Sequence, residues 1–125
     1  AGHHRQVPSR GSSCHDHPRG INGQFAGYAK AGVWRERAAY AKTVETGIYV
    51  SAQHQRQGIA RALYLELFRE LRVRGFHAVV AGITLPNDPS VKLHESVGMT
   101  FAGRYPEVGW KFNQWHDVGF WHMLL

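Results

Sequence analysis

Apolar residues recur along this chain at two periods, and the switches between them outline its elements. Over residues 43–50 (TVETGIYV) β-branched residues alternate with others. A period of two predicts a strand, with Val44, Ile48 and Val50 on one side and Thr43, Glu45, Gly47 and Tyr49 on the other. From about residue 58 to 74 the period lengthens: Ile59, Leu63, Leu67 and Leu71 recur at helical spacing, with Ala60, Tyr64 and Phe68 widening the stripe. Gly75 is placed to stop that helix. Residues 76–85 (FHAVVAGITL) are mostly apolar and of strand length, as expected of a buried parallel strand. Asp88 followed by Pro89 predicts an N-cap and first helical residue for a second helix, which ends near Val97 with Gly98 beyond it. Upstream, Asn22-Gly23 signals a hairpin turn into a strand over 24–33. A polar, aromatic connection follows over 34–40 (WRERAAY). Two last strands are expected near 100–107 and 119–125. There is no internal repeat, and the strand–helix–strand unit over 43–85 should be a right-handed parallel crossover.

Residues 1–20 break this pattern. They are rich in His, Arg, Ser, Gly and Pro, with Val7 the lone large aliphatic residue. Such a stretch buries too little surface to offset its ordering entropy, so it is expected to be disordered or loosely draped. The remainder, 21–125, fits one domain of a 125-residue chain. The net charge of +6 suggests an anionic partner: nucleic acid, a membrane surface or a phosphate-rich cofactor. No nucleic-acid-binding motif supports the first, and no apolar run is long enough to span a bilayer. With one cysteine, Cys14, no disulfide can form within the chain, and the N-terminus lacks a signal peptide's apolar core, so the expectation is a soluble, cytoplasmic protein. The cluster Cys14-His15-Asp16-His17, with His3 and His4, lacks zinc-ligand spacing, so no metal site is expected.

The string Gln55-Arg56-Gln57-Gly58-Ile59-Ala60 lies between a predicted strand and the long helix. A turn there can aim several backbone N–H groups at one point, at the positive end of a helix dipole, and so form an anion site. Gly58 removes a side chain where a phosphate would approach, and Arg56 adds charge. Taken alone, the string also fits an ordinary glycine loop capping a helix. It resembles, however, the Gln/Arg-x-x-Gly-x-Gly/Ala signature of the GNAT acetyltransferases. The blocks WRERAAY (34–40), TVE (43–45), YVS (49–51), HQRQG (54–58), LPNDPSV (85–91), LHESVG (93–98) and NQWHDVGFW (113–121) are similar to the phosphinothricin acetyltransferase type. The resemblance covers 21–125.

That resemblance implies an α/β GNAT fold: a mixed central sheet with helices on both faces, N-terminally truncated. It implies acetyl-CoA as co-substrate and a small amino-acid-like acceptor, such as phosphinothricin or methionine sulfoximine or sulfone. The pantetheine arm would pair with the backbone of Ile48, Tyr49 and Val50, an added strand in effect. The pyrophosphate would sit on the amides of residues 56–61: Arg56, Gln57, Gly58, Ile59, Ala60 and Arg61. Asn87 matches a residue that contacts the cofactor arm, and it also reads as a plain cap. Glu45 matches the general base, needed because an amine attacks a thioester only as neutral NH2; a solvent-facing glutamate reads the same. His94 matches the group that protonates the departing thiolate, as imidazolium near neutral pH; the alternative is a helix-surface histidine. Arg35, Glu36 and Arg37 match a substrate-contacting stretch, where guanidinium suits a carboxylate or phosphinate. Lys111, Trp115 and Asp117 belong to a family block, the latter two in a structural rather than catalytic role. Family members are commonly homodimers.

An enzyme of this type has another strand, two helices and a further strand before Asn22-Gly23, and those helices wall the acceptor pocket. Here 20 polar residues stand in their place. A non-catalytic CoA-binding remnant is therefore the alternative function.

Overall fold

The computed structural model describes residues 15–21, 24–55 and 58–125. Strands β1 (His15–Ile21), β2 (Gln24–Val33), β3 (Thr43–Val50), β4 (Ala78–Thr84), β5 (Thr100–Lys111) and β6 (Gln114–Leu124) form one sheet in the order β1-β2-β3-β4-β6-β5. Helix α1 (Ile59–Val73) crosses from β3 to β4, and α2 (Asp88–Ser96) joins β4 to β5. Only β3 and β4 pair in parallel; every other neighbouring pair is antiparallel. The mixed sheet and the parallel crossover are as the sequence predicts.

Three expectations need correction. Residues 15–20, expected to be disordered or loosely draped, form β1 together with Ile21, and β1 pairs with β2 from His15↔Ala31 to Ile21↔Gln24. The edge of an existing strand supplies the partners that a polar segment of low apolar content cannot supply for itself. The Asn22-Gly23 turn and residues 1–14 lie outside the described residues. The last two strands are much longer than 100–107 and 119–125. They meet at a two-residue turn in which Phe112 (φ 53°) and Asn113 (φ 59°) both have left-handed backbone, the type I′ hairpin geometry. The cap of α2 is Asn87, not Asp88: its Oδ1 accepts from Ser90 N at 3.2 Å, and Pro89 sits at the second helical position.

Both helices end in the same way. Gly75 (φ 87°) follows α1, where Phe76 N donates to Leu71 O and Gly75 N to Arg72 O, both at 3.0 Å. Gly98 (φ 108°) follows α2, where Met99 N donates to His94 O and Gly98 N to Glu95 O, both at 3.1 Å. These paired bonds satisfy the last carbonyls and need a residue that tolerates positive φ.

The core lies on one sheet face. Ile59, Leu63, Tyr64, Leu67, Phe68 and Leu71 of α1 pack with Ala29, Ala31, Val44, Val79, Ala81 and Ile83. Each of the larger side chains contributes roughly 1.5–3 kcal/mol of burial. Val97, Met99 and Trp121 extend the cluster beneath α2, and Trp121 Nε1 donates to Glu95 Oε2 at 3.0 Å. Helices were expected on both faces; among the described residues both lie on this one. Glu45, Tyr49, Gly82 and Thr84 point to the other face. No described helix is long and apolar enough to cross a membrane.

Gly27 shows how tightly β2 and β3 approach. A Cβ there would lie 2.3 Å from Tyr49 O and 2.9 Å from Val50 Cα. These are backbone atoms, so the strands must part. Gly27→Val is expected to lower stability by about 1–3 kcal/mol, read as a drop in thermal midpoint. An unchanged midpoint would contradict this packing.

Candidate active site

The ladder between β3 and β4 is short. It runs Thr43↔Ala78, Val44↔Val79 and Glu45↔Val80, and stops. Beyond it β3 continues to pair with β2 as far as Gly27↔Val50, and β4 pairs with β6 as far as Thr84↔Val118. Residues 46–50 and 81–84 therefore face each other across a splay with their inner edges unpaired. An extended amide-bearing chain can complete such an edge. Ile48, Tyr49 and Val50 line it. Ile48 and Val50 pack on the core, whereas Tyr49 is exposed and meets Tyr28 edge-on at 5.8 Å. Val50 O accepts from Gln55 Nε2 at 3.3 Å.

β3 leads through a 3-10 turn at Ala52–His54 to Gly58, which precedes α1. The turn is anchored from below. Ser51 N donates to Ala26 O at 2.7 Å, and Ser51 Oγ lies 2.7 Å from Nδ1 of the buried His54. Gly58 has φ 75°, and a Cβ there would meet nothing within 4 Å. No side chain caps α1, and its first turn holds no acidic residue. The amides of Ile59, Ala60 and Arg61 thus have no intrahelical partner. An open, uncapped helix start fits an anion such as a pyrophosphate. Arg56 and Gln57 lie outside the described residues.

Glu45 is the last residue of the β3–β4 ladder, at the floor of the splay, and it is half-buried. Desolvation raises its carboxyl above the ordinary value, and the charge of Arg35 works against that rise. Arg35 stacks on Trp34 at 4.3 Å and donates to Trp34 O at 3.2 Å. Of the three residues expected to contact substrate, Arg35 is thus tied electrostatically to Glu45. Arg37 precedes the 3-10 turn at Ala38–Tyr40, and Arg37 and Glu36 are both exposed.

His94 is not a surface histidine. It is 4% exposed, and its Nδ1 donates to Ser90 O at 2.7 Å. Nε2 is then the acceptor, 2.9 Å from the hydroxyl of Tyr64. Burial lowers its pKa, opposed by the Ser90 bond, and so disfavours the charged ring. A direct imidazolium donor does not fit this setting. Tyr64 is the residue that sequence reasoning missed, because its phenol sits within an apolar helical stripe. Its side chain is wholly buried, and burial drives the phenol well above its ordinary value. The hydroxyl lies against that of Thr46. Thr46 Oγ1 is itself buried, without a hydrogen bond of good geometry. Thr46 stands one residue beyond the last β3–β4 pair, so this polar chain begins at the root of the splay.

Asp117 proves structural. It accepts from Arg104 Nε at 2.8 Å and from the N–H of Glu107 at 2.9 Å. Those bonds hold the bulge between Tyr105 and Gly109, where Glu107 has φ 50°. The backbone bond to Glu107 and the Arg104 guanidinium hold the Asp117 carboxyl below its usual range. Trp115 packs edge-on against Trp110 at 4.9 Å. Asn87 is spent on capping α2 through its Oδ1.

Comparison with known proteins agrees with this geometry. Residues 8–99 match the model of the acetyltransferase (GNAT) family. A phosphinothricin N-acetyltransferase of Streptomyces viridochromogenes is 50% identical over 101 residues, covering 81% of this chain and 55% of that protein. The L-methionine sulfoximine/L-methionine sulfone acetyltransferase of Salmonella typhimurium is 41% identical over 104 residues, covering 83% and 61%. The crystal structure of a GNAT superfamily phosphinothricin acetyltransferase from Sinorhizobium meliloti in complex with acetyl-CoA superposes with a TM-score of 0.79 at 34% identity, covering 82% of this chain and 56% of that one. The chain thus spans little more than half the length of these relatives. With a family model matched over most of its length, and with the splayed strands and open helix start in place, the chain belongs to the GNAT acetyltransferase family.

Proposed function

We propose that this chain transfers acetyl from acetyl-CoA to the α-amine of a small amino-acid-like acceptor of the phosphinothricin and methionine sulfoximine or sulfone class. The observation that carries the reading is the splay between β3 and β4, opening beside an uncapped α1 with Glu45 at its floor. The edge at Ile48, Tyr49 and Val50 would hold the pantetheine arm. Gly58 and the amides of Ile59, Ala60 and Arg61 would hold the pyrophosphate, with Arg56 and Gln57 beside them, and Asn87 would meet the arm at the mouth. The bound co-substrate supplies the thioester. Glu45 takes the proton that the attacking amine loses, and Arg35, with Glu36 and Arg37 on the same loop, orients the acceptor's acid group. The new C–N bond replaces the C–S bond, and the departing thiolate needs a proton. His94 acts there through Tyr64: its Nε2 accepts from the hydroxyl and holds it at the root of the splay, and the proton that Glu45 passes to solvent balances the one the thiolate takes up.

One rival reading is a CoA-binding remnant without turnover. The two readings part in one assay. Purified protein with acetyl-CoA should release free CoA thiol on addition of phosphinothricin or methionine sulfone. Tight CoA binding with no thiol release would favour the remnant. We further propose a cytoplasmic homodimer. Tyr105, Trp110, Phe112 and Trp115 stand exposed on the β5–β6 hairpin, and apolar area of that kind marks an association surface. Light scattering should give twice the chain mass; a monomer at micromolar concentration would refute the dimer.

A further inference from the structure

We propose that the cleft at the C-terminal end of β4 is the subsite for the distal acidic group of the acceptor, with Lys111 as its counter-charge. The proposal rests on the acetyltransferase reading and names the acceptor chemistry that this site favours.

The cleft has a volume of about 270 Å³, and Gly82, Thr84, Asn87, Ser90, Lys111 and His116 are among the residues lining it. Lys111 is the only lining residue with a permanent charge, and no carboxylate lines the cleft. Its ammonium stands 5.4 Å from the centroid of Phe112, and among the described residues it makes no ion pair. The neighbouring cleft differs: there Arg104 is already neutralised by Asp117. His116 lies beside Lys111. Its Nδ1 lies 3.1 Å from Leu85 O and its Nε2 3.0 Å from Lys111 O. The ring thus lies between carbonyls at the end of β5 and at the corner between β4 and α2, donating to one of them when neutral, and Lys111 lines the cleft beside it.

The spacing suits an amino acid with an acid at its far end. Glu45 is paired with Val80, and Gly82 and Thr84 follow on the same face. At about 3.3 Å per residue they lie roughly 7 and 13 Å further on. An extended four-carbon chain is about 5 Å long at ~1.5 Å per bond. With a hydrogen bond of about 3 Å at each end, it spans about 11 Å. An amine at Glu45 and a phosphinate or carboxylate in the part of the cleft that Gly82 and Thr84 line, together with Lys111, are therefore compatible in one extended acceptor.

The test compares phosphinothricin, with an acidic end, and methionine sulfone, with a neutral one, on the wild-type chain, Lys111→Gln and Lys111→Arg. Lys111→Gln should raise KM for phosphinothricin by about tenfold or more, the usual cost of losing a charge-assisted hydrogen bond. KM for methionine sulfone should change less than about twofold, CoA affinity should hold, and Lys111→Arg should restore phosphinothricin use. Equal shifts for both acceptors, or none, overturn the subsite. If the wild-type chain turns over neither acceptor while binding CoA, the acetyltransferase reading fails separately. Calorimetry with phosphinothricin then decides the subsite: weaker binding to Lys111→Gln than to wild type upholds it, and equal or absent binding to both overturns it.

Discussion

Gly58→Glu is expected to abolish CoA binding. The added carboxylate would project into the open space before the first amides of α1, where nothing now lies within 4 Å of a Cβ. It would both fill an anion site and oppose its charge. Like charges brought together at an interface cost several kcal/mol, and each 1.4 kcal/mol is tenfold in affinity, so the loss should exceed two orders of magnitude. Gly58→Ala separates this effect from backbone strain. A residue with a side chain at φ 75° costs about 1–2 kcal/mol, which lowers stability without adding charge. Calorimetry should find CoA binding largely kept in Gly58→Ala and lost in Gly58→Glu. Equal affinity for wild type and Gly58→Glu would exclude this helix start as the phosphate site.

Glu45→Gln is expected to lower kcat by about 10²- to 10⁴-fold, the usual contribution of a general base, with CoA affinity nearly unchanged. Glutamine keeps the volume and a hydrogen-bonding oxygen but cannot take a proton. The wild-type rate should rise as the Glu45 carboxyl ionises, and desolvation places that rise above the ordinary carboxylate range. In the variant this limb should vanish, and the deficit should shrink as pH rises and free amine becomes available. Stability should move the other way. A carboxyl whose folded-state pKa is raised contributes stability below its unfolded pKa and loses it as pH rises through the folded value. At neutral pH the ionised Glu45 is thus a net cost, and Glu45→Gln should be at least as stable as wild type. A variant with near wild-type kcat from pH 6 to 9 would show the carboxylate to be structural.

Sequence alone determined the elements whose cause is local. The alternation over 43–50, the stripe from Ile59 to Leu71 and the glycines after each helix carry their own periodicity and backbone demands, and the structure places each as expected. The glycine ahead of the α1 start was legible for the same reason, since its backbone demand is local. Tertiary structure decided what depends on partners distant in sequence. β1 exists because β2 offers it an edge, which the composition of residues 15–21 cannot reveal. The ladder of β3 against β4 ends at Glu45↔Val80 while β3 stays paired with β2 and β4 with β6 beyond that point, and only that divergence opens the splay. His94 read as catalytic, with a helix-surface histidine as the alternative. The 29 residues between them fold to set Tyr64 against it, the Ser90 carbonyl sets its tautomer, and burial disfavours its charge. Lys111 was visible only as part of a family block. The role proposed for it depends on the cleft it lines beside His116, a juxtaposition that no local pattern encodes.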